Sequence, residues 1–220
     1  MDQDLIPVYF MPGMAANPSI FENIKLPETV FESHWLEWEI PQENESIEHY
    51  AKRLCEKIQH ENPVLIGVSF GGIMVQEMSK QIKTRKVVVI SSVKSKNELP
   101  NRMKLAKLTK AYKLIPAHLM EDVDKLAKYA FGKLATKRVE LYKKYLSMND
   151  RRYLEWAIKQ VVLWKQEQPL ENVVHIHGDK DGVFPSRHLS NYIKVKDGTH
   201  IMIINKYKWF NENLPAIILT

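Results

Sequence analysis

The chain of 220 residues is long enough for one domain, or for one domain that carries a sizeable insertion. Its 45% apolar and 26% charged residues are typical of a globular protein with a large core, which excludes a disordered or collagen-like chain. The formal net charge of +6 leaves nucleic acid, an anionic membrane or an acidic substrate as classes of partner, so the distribution of that charge matters.

The cysteine content and the N-terminus bear on the cellular compartment. Cys55 is the single cysteine, which excludes an intrachain disulfide and argues against a cysteine-rich metal site. No apolar run approaches the roughly 18 residues that a membrane span needs. The N-terminus is acidic at Asp2 and Asp4, where a secretory signal would be basic. We therefore expect a cytoplasmic protein.

Six apolar runs predict β-strands, and the first five of them are continuous rather than alternating. Continuous runs are typical of strands that are buried on both faces, as in a parallel sheet covered by helices. Helical spacing follows Ser46 and again follows Ser69, so strands and helices alternate. We therefore predict the α/β class, with a mainly parallel sheet of about six strands flanked by helices. The predicted strands span 5–11, 35–40, 64–68, 86–90, 173–177 and 192–195.

The segment 94–165 has no strand signal and interrupts this alternation after the fourth strand. Residues 94–159 carry a net charge of +10, whereas the rest of the chain carries −4. We interpret the basic side as a solvated face, with attraction of an anionic substrate or contact with an anionic membrane as alternatives. No nucleic-acid-binding motif accompanies the charge, so we expect no nucleic-acid partner. The apolar spacing predicts helices near 100–114, 121–131, 136–148 and 150–164.

The sequence Gly67-Val68-Ser69-Phe70-Gly71 lies between a predicted strand and a predicted helix. A sharp strand–turn–helix presents its central residue at the sheet edge, next to a helix N-terminus whose dipole favours negative charge. The alternative is a glycine-rich turn in which the serine only caps the helix. Capping does not require glycine on both sides at this spacing. We therefore interpret Ser69 as a nucleophile.

Two later loops supply the groups that a serine nucleophile requires. A serine hydroxyl is a weak nucleophile and needs a base within hydrogen-bond reach, and a histidine fits that role when a carboxylate fixes its tautomer. Asp181 follows the fifth predicted strand and His200 follows the sixth, which gives the order serine, acid, histidine. Asp179 and Asp197 are rival acids, but Asp179 fits a turn-shaping role and Asp197 is very near the histidine in sequence.

Four motifs carry a resemblance to a known family: FMPGM at 10–14, GVSFGG at 67–72, HGDKDGVFP at 177–185 and DGTH at 197–200. With them the chain resembles the α/β-hydrolase superfamily, and more narrowly its small bacterial members of unassigned substrate. In that family the acid follows a glycine by three residues and the histidine lies in a Gly-x-His turn, as Asp181 and His200 do. The resemblance covers nearly all of the chain outside the insertion.

The resemblance implies a division of the chain into two parts. The α/β-hydrolase core would comprise residues 1–93 and 166–220, and residues 94–165 would form a helical cap over the catalytic loops. The family usually has two further strands before the one predicted at 5–11, so we expect a six-stranded sheet.

The resemblance also implies an oxyanion hole built from the backbone N–H groups of Met14 and Phe70. Many relatives have His-Gly in the first of these loops, whereas this chain has Pro12-Gly13. A backbone N–H, and not the histidine side chain, would stabilise the oxyanion, so the hole can form without that histidine. The loop must then be braced in a different way.

These features predict a serine hydrolase that cleaves the ester bond of a small molecule through an acyl-enzyme, without a metal or an organic cofactor. Thioester, lactone or carbon–carbon bond cleavage on the same fold is an alternative, as is a ligand-binding protein with an unused triad. We expect apolar side chains of the cap to line a pocket for a short or medium acyl chain. The candidates are Tyr112, Leu114, Ile115, Leu119, Met120, Tyr129, Phe131, Tyr153, Trp156 and Ile158.

Two further patterns share features with metal sites. His175 and His177 alternate, so their imidazoles would face one side of a strand. With no third ligand, we favour a hydrogen-bonded core position and a loop residue over a metal pair. The run 179–182 is similar to the start of a calcium loop but lacks the later ligands. We therefore predict no metal site.

Overall fold

The structure, a computed structural model, describes residues 5–114 and 144–220. Its strands are β1 (Ile6–Met11), β2 (Phe31–Trp35), β3 (Val64–Val68), β4 (Lys86–Ile90), β5 (Val173–Gly178) and β6 (Ile193–Val195). They form one sheet in the order β2-β1-β3-β4-β5-β6, and every neighbouring pair is parallel. The predicted parallel sheet of six strands is confirmed.

The described helices lie between these strands and after the last one. They are α1 (Ile47–Cys55), α2 (Phe70–Met78), α3 (Asn101–Thr109), α4 (Arg151–Leu163), α5 (Met202–Asn205) and α6 (Tyr207–Leu219). Ser46 caps α1 by accepting a hydrogen bond from the N–H of His49 at 3.2 Å, so the predicted start of this helix is confirmed. Across the described ranges, no helix is long and apolar enough to traverse a bilayer.

Successive residues of the central strands point into two separate apolar cores, one on each face of the sheet. In β1, Tyr9 and Met11 belong to the core that α1, α2 and α4 complete. Val8 and Phe10 belong to the other core, which α5 and α6 complete. Burial on both faces explains why these strands are continuous apolar runs in the sequence.

The position of the second strand was predicted wrongly. The pattern places it at 35–40, but β2 ends at Trp35. Leu36 and Trp38 are buried and alternate with exposed residues as in a strand, yet this extended segment runs beyond the pairing of β2 with β1. β2 lies at the edge of the sheet and exposes Glu32, so it lacks the continuous apolar pattern of the central strands.

The described part of the insertion packs against the rest of the molecule, and α4 and α3 each provide an example. Tyr153 and Trp156 of α4 are buried in the same core as β1 and β3. Arg102 of α3 donates hydrogen bonds to the carbonyls of Gly182 and Val183, at 3.2 and 2.8 Å. The helix predicted at 121–131 and all but the end of the one at 136–148 lie outside the described residues, so the division into core and cap stays a prediction.

The turn between β3 and α2 holds its central residue in a conformation that side chains rarely adopt. Ser69 has φ 54° and ψ −119°. Two hydrogen bonds hold this geometry: the Ser69 N–H donates to the Ile90 carbonyl at 2.9 Å, and the Ser92 hydroxyl donates to the Ser69 carbonyl at 2.7 Å. Strain of this kind costs on the order of 1–3 kcal/mol and persists only where the surroundings impose it.

This strain predicts an unusual order of stabilities. Ser69→Gly should be more stable than Ser69→Ala by about 1 kcal/mol, because relief of the strain exceeds the 0.5–1 kcal/mol by which glycine normally destabilises. Urea unfolding at fixed pH measures both variants. Ala51→Gly, in the interior of α1, is the control and should lose about 1 kcal/mol relative to wild type. A Ser69→Gly protein that is less stable than Ser69→Ala would contradict the strain.

Candidate active site

Three side chains from distant parts of the chain form one line of hydrogen bonds above the carboxyl ends of the strands. The Oγ of Ser69, after β3, lies 2.9 Å from Nε2 of His200. Nδ1 of the same imidazole lies 2.9 Å from Oδ2 of Asp181. Asp181 follows β5 and His200 follows β6, so the order of the strands brings together the three residues that the sequence predicted as a group.

The Asp181 carboxylate is fully buried but well provided with hydrogen-bond donors. The N–H groups of Val183 and Phe184 donate to its Oδ1 at 2.8 and 3.0 Å, which leaves Oδ2 toward His200. Burial by itself would raise the pKa of Asp181, but the neighbouring His200 and the N–H of Phe184 outweigh that effect and lower the pKa. The carboxylate is therefore ionised at neutral pH and faces the imidazole.

The two rival acids lie in different surroundings from Asp181. Asp179 is exposed in the turn after β5. Asp197 pairs with Lys180, with Nζ and Oδ1 2.6 Å apart. Among the described acids, Asp181 is the one whose carboxylate is placed against the imidazole.

The side chains of His175 and His177 face the same side of β5, as predicted, but His177 is not a loop residue. Both are buried, and His175 Nε2 lies 3.2 Å from His177 Nδ1. His177 Nε2 donates to the Phe184 carbonyl at 2.8 Å and lies 3.5 Å from Asp181 Oδ2. Burial lowers the pKa of both imidazoles, so they are neutral. His177 is thus a second neighbour of the Asp181 carboxylate that the sequence pattern did not identify.

The loop after β1 packs directly on the turn that carries Ser69. A Cβ at Gly71 would lie 2.3 Å from the Pro12 carbonyl oxygen, so this close approach requires glycine. A Cβ at Gly13 would lie 3.5 Å from Cβ of Ser69. The Pro12-Gly13 loop therefore lies beside the serine, where the sequence predicted it.

Trp38 holds this loop, and its contribution was not predicted. The indole Nε1–H donates to the Gly13 carbonyl at 2.8 Å, and the ring stacks on Phe70 with centroids 4.9 Å apart. Ala16 N–H donates to the same carbonyl at 3.0 Å. These contacts hold the Pro12-Gly13 loop in place beside the serine turn.

A cavity of about 410 Å³ opens onto Ser69 and His200. Met14 and Phe70 also line it, next to the serine. The rest of its wall is mostly apolar and comes from both the core and the insertion. The further lining residues include Ile20, Met103, Ala106, Tyr145, Leu146, Val161, Val162, Ile201, Ile203 and Ile204.

Two of the ten predicted pocket residues, Tyr112 and Ile158, line this cavity. Tyr153 and Trp156 do not line it, because they are buried against the aromatic rings of Trp38, Tyr50 and Phe70. The side chain of Leu114 and the residues Ile115, Leu119, Met120, Tyr129 and Phe131 lie outside the described part of the chain.

The sequence and the structure differ in what they match among known proteins. No protein-family model matches the sequence, and no curated protein does. The structure is similar to that of a hydrolase from Pseudomonas aeruginosa PA01, with a TM-score of 0.70 at 13% identity, covering 98% of this chain and 90% of that chain.

Two esterase structures are similar as well. A carboxylesterase from Nitrososphaera gargenis gives a TM-score of 0.66 at 14% identity, covering 98% of this chain and 92% of that chain. A thermophilic esterase from Thermogutta terrifontis gives 0.63 at 10% identity, covering 97% of this chain and 89% of that chain. These likenesses and the parallel sheet show that the chain has the α/β-hydrolase fold.

Proposed function

We propose that this protein is a serine hydrolase that cleaves carboxylic esters of small molecules through an acyl-enzyme. The observation that carries the proposal is the continuous line from Ser69 Oγ through the His200 imidazole to the Asp181 carboxylate, with 2.9 Å at each step. The esterases among the similar structures support the same class of reaction.

In the proposed reaction, Ser69 Oγ attacks the acyl carbon while its proton passes to Nε2 of His200. A new C–O bond forms and the carbonyl oxygen becomes an oxyanion. Collapse of this intermediate breaks the bond to the alcohol, which takes the proton from His200 as it leaves. Water then gives a proton to His200 and attacks the acyl group, and Ser69 Oγ recovers that proton when the carboxylic acid departs.

Asp181 would hold His200 in the tautomer that carries a proton on Nδ1, so that Nε2 accepts the serine proton. The imidazolium that forms during the attack would lie against an ionised carboxylate. The lowered pKa of Asp181 supports this role, since the carboxylate stays charged without taking the proton itself.

The oxyanion would be stabilised by the N–H groups of Phe70 and Met14. Phe70 is the first residue of α2, so its N–H has no acceptor within the helix. The N–H of Met14 and the carbonyl of Gly13 belong to one trans peptide, so they point in opposite directions. By fixing the carbonyl, Trp38 fixes the direction of the Met14 N–H.

The substrate class follows from the cavity. Its wall is mostly apolar, with aliphatic side chains such as Ile158, Val161 and Ile204. An apolar acyl chain would gain about 0.8 kcal/mol for each CH₂ group that it buries there. The substrate that fits best is therefore an ester with a short or medium apolar acyl group.

The roles of the three side chains are tested by labelling and by a matched pair of variants. A fluorophosphonate probe should label Ser69 in wild type and fail to label Ser69→Ala. Asp181→Asn should lower kcat for an aryl ester by about 10³–10⁴-fold, because the imidazole loses its tautomer. Asp179→Asn changes the exposed neighbour and should leave kcat within about twofold of wild type. Folded wild type that resists the probe, or equal losses in the two variants, would contradict the proposal.

The role of Trp38 is tested by Trp38→Phe, which keeps an aromatic ring against Phe70 and removes the N–H donor. We expect kcat to fall about tenfold with little change in KM, which is less than the 10²–10³-fold that the loss of a whole oxyanion donor costs. Trp164→Phe is the control, because its buried indole N–H also makes a hydrogen bond, to Glu77 at 2.8 Å. Equal kcat values for the two variants would refute a positioning role.

The substrate class is tested with aryl esters graded by acyl-chain length. Wild type should prefer short or medium chains, and Ile158→Trp should shift the optimum to shorter chains by filling the cavity. Lys159→Trp places the same ring on the exposed neighbour in α4 and should leave the profile unchanged. A flat profile for wild type would contradict an acyl-binding function for the cavity. Steady-state kcat/KM across the series is the measurement.

A further inference from the structure

A cluster of metal-ligating side chains lies at the edge of the sheet, apart from the proposed active site. Glu32 and His34 are two residues apart on β2, so they share one face of this edge strand. His60 lies in the segment between α1 and β3. One ligand atom from each of the three residues lies within 4.8 Å of the other two. We call these three residues the edge cluster.

The distances within the edge cluster are those expected around a small metal ion. His34 Nε2 lies 3.2 Å from Glu32 Oε1, and His60 Nε2 lies 3.6 Å from Glu32 Oε2. A tetrahedral zinc ion with ligands at 2.0–2.1 Å has neighbouring ligand atoms about 3.3 Å apart. Three ligands from the chain would leave a coordination position open to solvent, which the partial exposure of all three side chains allows.

One imidazole nitrogen of the cluster lacks a partner. His34 Nε2 is buried, and no described residue makes a hydrogen bond with it. The Glu32 oxygen lies 3.2 Å away, which is an ion-pair distance, but its geometry is not that of a hydrogen bond. Buried polar atoms are normally satisfied, so an unpartnered nitrogen that faces a carboxylate points to a missing ligand.

Tyr9 orients both imidazoles. Its ring stacks on His34 with centroids 4.6 Å apart and planes inclined by 18°. Its hydroxyl lies 2.8 Å from His60 Nδ1 and also accepts a hydrogen bond from the N–H of Gln59 at 3.1 Å. A His60 that donates from Nδ1 to this hydroxyl keeps the lone pair of Nε2 for a metal, which is the outer hydrogen bond that metal-binding histidines usually make.

We propose that the edge cluster binds a divalent transition-metal ion, with zinc as the best match. Two imidazoles and a carboxylate suit zinc and its neighbours in the transition series, whereas magnesium and calcium prefer oxygen ligands alone. The bound ion would join β2, which pairs only with β1 in the described sheet, to the segment that follows α1. Its role is structural, and it takes no part in the proposed ester hydrolysis.

The test is zinc titration of the chelator-treated protein in competition with a chromophoric chelator, together with thermal melts with and without zinc. Wild type should bind one equivalent and melt at a higher temperature with zinc. His34→Ala, His60→Ala and Glu32→Gln should each weaken zinc binding at least tenfold and abolish that rise. His49→Ala is the control, since His49 also pairs with one carboxylate, Glu45, at 2.7 Å, and should bind as wild type does.

Three results would overturn the proposal. The first is wild type that binds no zinc, and the second is zinc that binds wild type and every variant alike, which is adventitious binding to other histidines. The third concerns the carboxylate. Glu32→Gln keeps the test valid if a histidine variant fails to fold, because Glu32 is exposed and the substitution is nearly isosteric. If this variant retains full zinc affinity, the carboxylate is not a ligand and the proposed site is wrong.

Discussion

The common direction of the six strands is the constraint on which the rest of the structure depends. Because all strands are parallel, every strand ends at the same edge of the sheet, and the loops that follow them meet there. Ser69, Asp181 and His200 follow β3, β5 and β6, so their convergence requires no special device beyond this direction. Parallel strands need long crossover connections, which are usually helices, and these helices cover both faces of the sheet.

Close contacts between the backbones of neighbouring loops bring the three side chains within hydrogen-bond distance of one another. A Cβ at Gly178 would lie 2.2 Å from the Gly198 carbonyl oxygen, so the loops of the acid and the histidine touch directly. The contact of Gly71 with Pro12 does the same for the serine turn and the loop after β1. At each of these contacts a side chain would separate two loops that the site requires to be adjacent.

The site combines a line of hydrogen-bonded polar side chains with an apolar cavity, and different parts of the fold provide the two. The Asp181 carboxylate is stabilised within a low-dielectric interior by the backbone N–H groups of its own turn and by His200. The cavity beside Ser69 draws its aliphatic wall from both cores and from the insertion. The polar line would supply the chemistry, while the apolar wall would select the acyl group.

Local patterns in the sequence account for the sheet and for the residues of the candidate site. Continuous apolar runs, helical spacing and the Gly-x-Ser-x-Gly turn are local patterns, and they predicted the sheet, the start of α1 and the three residues now seen in one line. The predicted position of β2 was wrong because the buried residues Leu36 and Trp38 alternate with more exposed ones, as they would in a strand. The segment that contains them continues beyond the sheet. Three contacts became known from the folded chain: Trp38 hydrogen-bonds to Gly13, His177 lies beside Asp181, and His60 lies beside β2. Such contacts join segments through packing, and the spacing of residues along a chain does not encode which side chains the packed elements bring face to face.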